Sequence, residues 1–173
     1  MKKIQTVVCL LIVLLFVPTA LFSEGTAENL PHAELEGVSI TLPSGLSLEE
    51  YNGLLLMREE EKLARDVYLE LGDIWGVKVF TNIARSEQTH MDAVLTLLET
   101  YNIDDPIQND ALGVFTNPEL AALYEQLIDK GSSSLTNAFT VGAIIEDLDI
   151  KDLRVLLSET ENEDIIRVYE NLE

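Results

Sequence analysis

The chain has little cysteine, little histidine and few cations. Cys9 is the single cysteine in 173 residues, so disulfides within the chain and paired-thiol redox chemistry are excluded. Histidine occurs twice, at His32 and His90, which leaves few imidazoles from which to build a site. Glycine at 9 and proline at 5 are too sparse for a fibrous or low-complexity protein. Lysine and arginine together number 11 against 31 aspartates and glutamates, a formal net charge of -20. Binding to a phosphate backbone needs clustered cations, so nucleic acid is not an expected partner. No phosphate-cradling glycine loop and no nucleophile triad stands in the sequence. What is abundant is apolar: 47% of the residues are hydrophobic, enough to build the core of one domain.

The apolar content is distributed in two ways. Lys2 and Lys3 precede an apolar run from Val7 to Phe22, and small residues follow from Ser23 to Ala27. This is the layout of an export signal, so residues 1–27 are expected to be a signal peptide and the protein to be exported, periplasmic or extracellular. If the segment is not cleaved it becomes an N-terminal membrane anchor, since its length is near the lower limit for a spanning helix. After cleavage neither a cysteine nor a membrane partner remains. Residues 28–46 carry Pro31, Gly37 and Pro43 without a sustained period and read as a linker, in which Val38, Ile40 and Leu42 could alternate as a short strand. His32 stands alone there, with no neighbours to complete a ligand set.

From residue 47 to 173 the hydrophobic period is helical throughout, which predicts an all-α domain. Ser47 and Glu50 have capping-box spacing and Gly72 offers a stop, so a first helix is expected from Leu48 to Leu71. Its inward stripe is Leu54, Met57, Glu61, Ala64, Tyr68 and Leu71, and Glu59, Glu60, Lys62, Arg65 and Asp66 read as a solvated face. A second helix, about Val77 to Tyr101, presents Phe80, Ile83, Glu87, His90, Val94, Leu97 and Tyr101 in alternating steps of three and four. Asn117 and Pro118 open a short helix reaching Lys130, expected in the crossover between the second and third long helices. The third runs from Ser133 or Ser134 to about Leu157 with Leu135, Phe139, Gly142, Glu146, Asp149, Leu153 and Leu156 inward. An alternative parse breaks it at Leu148, with Asp149 capping a new helix. A fourth begins near Asn162 or Asp164 with Ile165, Val168 or Tyr169, and Leu172 inward, and is expected to be truncated at Glu173.

Three of these apolar stripes are interrupted by polar residues: Glu61 on the first, Glu87 and His90 on the second, Glu146 and Asp149 on the third. Spacing of three residues puts both members of each pair on one helix face. Glu61 is 13 residues from Leu48, Glu87 is 10 from Val77 and Glu146 is 12 from Ser134. At about 1.5 Å per residue all three lie at similar depth, near the middle of a bundle. Carboxylates gathered in a low-dielectric core repel one another, and a cation removes that repulsion. The set therefore reads as metal ligands, Glu61, Glu87, His90 and Glu146, with Asp149 conditional on an unbroken third helix. Mixed carboxylate and imidazole donors suit iron or manganese, one or two ions, and zinc also fits. Against this stands a metal-free exported bundle, a binding or structural module, in which Glu61 pairs at the bundle edge and His90 hydrogen-bonds Glu87.

Glu61, followed by Ala64 and Tyr68 at spacings of three and seven, resembles the first-helix signature of rubrerythrin-like members of the ferritin-like superfamily. Glu87-Gln-Thr-His90 is similar to their second-helix Glu-x-x-His, and Glu146 with Asp149 resembles their third-helix acidic ligands. The stretches Arg58–Tyr68, Asn82–His90 and Glu146–Leu153 more closely resemble an uncharacterised bacterial and archaeal ferritin-like family known as a domain of unknown function. The resemblance spans about Leu48 to Glu173 and implies a ferritin-like four-helix bundle with di-iron-type oxidoreductase chemistry toward oxygen or peroxide. In that family the fourth helix continues into a histidine-containing segment; here it is expected to end first, which weakens the expectation of a second metal position and of catalysis. A metal ion is the expected partner, and a homo-oligomer is compatible with the pattern.

Overall fold

The computed structural model describes Leu42 and residues 45–172. The expected signal peptide, Cys9, His32, the Val38–Ile40 alternation and most of the expected linker lie outside the described residues. Five helices are present: α1 Leu48–Trp75, α2 Lys78–Thr100, α3 Pro118–Ser132, α4 Leu135–Ser158 and α5 Glu163–Leu172. Among the described residues there is no strand, and the fold is an all-α bundle. No described helix is long and apolar enough to cross a membrane.

The starts are set by side-chain caps that satisfy otherwise orphaned amides. Ser47 accepts from the Glu50 amide at 3.1 Å while the Glu50 carboxylate accepts from the Ser47 amide at 2.8 Å, so the capping box is complete. Asn117 accepts from the Glu119 amide at 2.9 Å and Ser134 from the Asn137 amide at 3.1 Å. The end of α1 differs from expectation: Gly72 is helical, and the stop is Gly76, whose φ of +64° is left-handed and whose amide donates to Gly72 O at 2.9 Å. The left-handed conformation is what favours glycine at a helix end. Gly72 lacks it and so terminates nothing. Likewise α4 continues unbroken past Leu148, which removes the parse in which Asp149 caps a new helix.

Packing is organised on α1, which lies against α2, α3 and α4. One apolar cluster joins Leu63, Val67 and Leu71 of α1 to Phe80 and Ala84 of α2, Leu120 and Leu127 of α3, and Ala138, Val141 and Ile145 of α4. The other joins Leu54 and Met57 of α1 to Val94, Leu97 and Leu98 of α2, Leu153 of α4 and Ile165 and Tyr169 of α5, with Leu46 packed in before the first helix. Along α1 the gap between the clusters falls at residues 58–62, and along α2 at residues 85–93. Glu61, Glu87 and His90 all fall in that gap.

Two expected faces are corrected. Glu59, Lys62, Arg65 and Asp66 are buried rather than solvated, as is Arg58 beside them, because the 101–117 connection lies over this side of α1 and supplies partners. Arg58 Nη2 donates to Asp105 Oδ2 at 2.8 Å and Arg65 Nη2 to Asp110 Oδ1 at 2.6 Å. Lys62 Nζ bonds Asp66 and donates to Ala111 O at 2.9 Å, with the Phe115 ring centroid 4.7 Å away. Glu59 Oε1 accepts from the Thr116 amide at 2.6 Å. On α4 the buried line is Ala138, Val141, Gly142, Ile145 and Leu153, and Leu135 and Phe139 are exposed. α4 approaches α1 through its Ala138 and Gly142 side, where a Cβ on Gly142 would still be in ordinary contact, 3.4 Å from the Tyr68 ring.

Candidate metal centre

The structure brings Glu61, Glu87 and His90 together. One ligand atom from each lies within 4.8 Å of the others. Spacing of three on α2 places the Glu87 Oε2 atom 3.0 Å from His90 Nδ1, and α1 delivers Glu61 Oε2 to 3.3 Å from the same nitrogen. Glu61 is 1% exposed and Glu87 7%, and His90 is half-buried. The second carboxylate oxygen of Glu61, Oε1, is buried without a hydrogen-bond partner. A buried carboxylate oxygen with no donor is costly unless it is protonated or meets a cation.

The electrostatics follow from this burial. Loss of water pushes the Glu61 carboxyl up to about 8, with His90 opposing the rise and the charges of Asp149 and Glu87 adding to it. Hydrogen bonds to Glu61 and Glu87 push the His90 imidazole up to about 10, against its own desolvation. Without a metal, the group holds protons at neutral pH. A divalent cation would replace them, since carboxylate and neutral imidazole are the ligating forms. Two carboxylates and one nitrogen suit iron, manganese or zinc and leave coordination positions open.

Glu146 and Asp149 are close by but outside this group. Glu146 is exposed, and its Oε1 accepts from the Tyr68 hydroxyl at 2.6 Å, so Tyr68 both packs in the core and orients a carboxylate. Asp149 is half-buried; burial, then the charges of Glu87 and Glu146, push it up to about 7. It lines a small void of about 20 Å³ beside Glu60, enough for about one water.

Between α2 and α4 no pair of Cα atoms comes within 8 Å, and a cleft of about 400 Å³ opens there. Its lining is apolar around Val79, Phe80, Ile83, Phe139 and Ala143, and polar at Glu87, His90, Glu146 and the Tyr68 hydroxyl.

A family model described as "Uncharacterized protein domain (DUF2202)" matches residues 50–173. The chain belongs to the DUF2202 family. It is 57% identical over 138 residues to the uncharacterized protein MJ0754 of Methanocaldococcus jannaschii, covering 80% of this chain and 75% of that protein. Its fold is similar to the crystal structure of the hypothetical protein MJ0754, with a TM-score of 0.73, 60% identity and 73% of each chain covered.

In this DUF2202 chain the polar group extends to a residue that periodicity assigned to solvent. Glu60 Oε2 is buried without a partner, and burial together with the charges of Asp152 and Asp149 pushes its carboxyl up to about 8. The signal for it was present as a second line of steps of four and three on α1: Gly53, Met57, Glu60, Ala64, Val67 and Leu71. Glu60 interrupts that line as Glu61 interrupts the first. A helix buried on more than one side carries more than one such line.

Proposed function

We propose that this DUF2202 protein is a ferritin-like metalloprotein that binds iron or manganese in the middle of its helical bundle. Glu61, Glu87 and His90 would hold the ion, with Glu146 and Asp149 as neighbouring carboxylates that adjust its charge or complete its coordination. The observation that carries this reading is Glu61: a fully buried carboxylate with one oxygen beside His90 and the other without any partner. A metal-free module would be expected to satisfy that oxygen or to replace the residue. The position of the group between two apolar clusters further supports it, because the surrounding packing holds the donors in place.

A bound iron or manganese ion would supply redox chemistry toward oxygen or peroxide. The chain's own residues would position it. Glu87 and His90 share one helix face, and Tyr68 fixes Glu146 through its hydroxyl proton. Phe80 and Phe139 would give the cleft beside the ion an apolar side. The N-terminal segment, by its composition, would direct this chemistry outside the cytoplasm.

The test is metal content by plasma mass spectrometry after loading with Fe(II) or Mn(II) and desalting, for the wild type and a Glu87→Ala, His90→Ala double variant. The wild type is expected to retain about one ion per chain and the double variant at least tenfold less. Equal, near-zero retention in both would sink the metal reading and leave the metal-free module.

A further inference from the structure

The cleft between α2 and α4 has two chemically different ends. Phe139 and Val79 at its sides are 49% and 41% exposed, and Ala143 lies beside them. Further along both helices the lining is Glu87, His90 and Glu146. The aromatic side is arranged as a row: the Phe139 and Phe80 rings lie 5.2 Å apart, and Phe80 stacks on Tyr68 at 6.2 Å, whose hydroxyl reaches Glu146. An exposed phenylalanine held in such a row is a preformed surface for another flat apolar group. At about 400 Å³ the space matches a small molecule.

The polar end says what the other end of that molecule must be. Glu87 and His90 belong both to the metal-ligand group and to the cleft lining, whereas Glu61 does not line the cleft. Glu87 and His90 would therefore present an ion to the cleft, and a head group at that end would be within its reach.

We propose that this cleft binds a small organic molecule with an aromatic body and an anionic oxygen head of the carboxylate or hydroxamate class, the body against Phe139 and Phe80 and the head on the ion. The assignment rests on the metal reading above, because an anionic head would be repelled by the Glu87 and Glu146 carboxylates without a cation. Body and head together set selectivity: the apolar walls favour the ring, and the ion favours the oxygens.

The experiment is calorimetric titration of Mn(II)-loaded protein with benzohydroxamate and with acetohydroxamate, which share a head and differ in the ring. The wild type is expected to bind benzohydroxamate at least tenfold more tightly. Ala143→Phe, at an exposed position of α4, fills the cleft; it is expected to abolish that preference while leaving metal content unchanged. Phe139→Ala should reduce the preference without abolishing it. Equal affinities in the metal-loaded wild type, or a preference that survives Ala143→Phe, overturn the assignment of the cleft. Tighter binding of benzylamine by the metal-free protein than of benzohydroxamate by the loaded protein overturns the head class. Absence of metal from the wild type removes ion and ligand together, and metal without preference removes the ligand alone.

Discussion

Replacing Lys62 by methionine separates the two descriptions of the outer side of α1 most sharply. Sequence periodicity makes Lys62 a solvated residue, and an exposed ion pair contributes about 0.2–1 kcal/mol. In the fold Lys62 and Asp66 are both fully buried and bonded to each other, and the ammonium also donates to Ala111 O. Removing one partner of a buried pair typically costs about 3–5 kcal/mol, because a buried charge is left behind. Here Asp66 would keep Arg65, at 2.8 Å, and the Gly113 amide, at 3.0 Å, so the lower end applies, about 3 kcal/mol. Methionine keeps the unbranched shape of the lysine stem and adds no branching strain. The measurement is urea unfolding at neutral pH, with the midpoint lowered and the slope unchanged. In a domain of this size the same loss lowers Tm by about 6–12 °C. Hydrogen exchange should accelerate first at the Gly113 amide, whose acceptor is Asp66. A loss below about 1 kcal/mol would refute the buried account and restore the solvated face.

Raised folded-state values give a pH dependence of definite sign. Glu60 and Glu61 lie near 8 against an ordinary 4.5, Asp149 near 7 against 3.8, and His90 near 10 against 6.5. The folded chain therefore holds more protons than the unfolded chain from about pH 4 to 10, and the metal-free protein should lose stability as pH rises through that window. Melts in chelator at pH 5, 7 and 9 should show Tm falling steadily; a rise from pH 5 to 9 would contradict the arrangement. Gly76→Ala should cost about 1–2 kcal/mol through the left-handed backbone alone, since a Cβ there meets nothing within 4 Å. An unchanged urea midpoint would show that α1 can end without glycine.

The first helix shows both how much was legible and where legibility stopped. Ser47 and Glu50, Asn117 and Pro118, and Ser134 are local devices, each acting within a few residues, and the helix starts they predict are present. The stripe Leu54, Met57, Glu61, Ala64, Tyr68 and Leu71 is wholly buried as read. The steps of three and four on α2 likewise carried Glu87 and His90 to one face. Gly72 and Gly76 could not be ranked in advance, because a glycine ends a helix only where the backbone turns left-handed.

What the sequence alone determined is therefore the all-helical class, the helix starts and the alignment of Glu61 with Glu87 and His90 at one depth, because these follow from periods and caps that act locally. Tertiary structure decided the rest. The 101–117 connection folds over α1, turning Lys62, Arg65 and Asp66 into a buried network, and the packing of α4 on α1 leaves Glu60 beside a small void. α4 packs on α1 through Ala138, Val141, Gly142 and Ile145, which turns Phe139 outward to line a cleft and leaves Glu146 exposed beside it. Burial of a given residue depends on which distant segment covers it, and no local period carries that information.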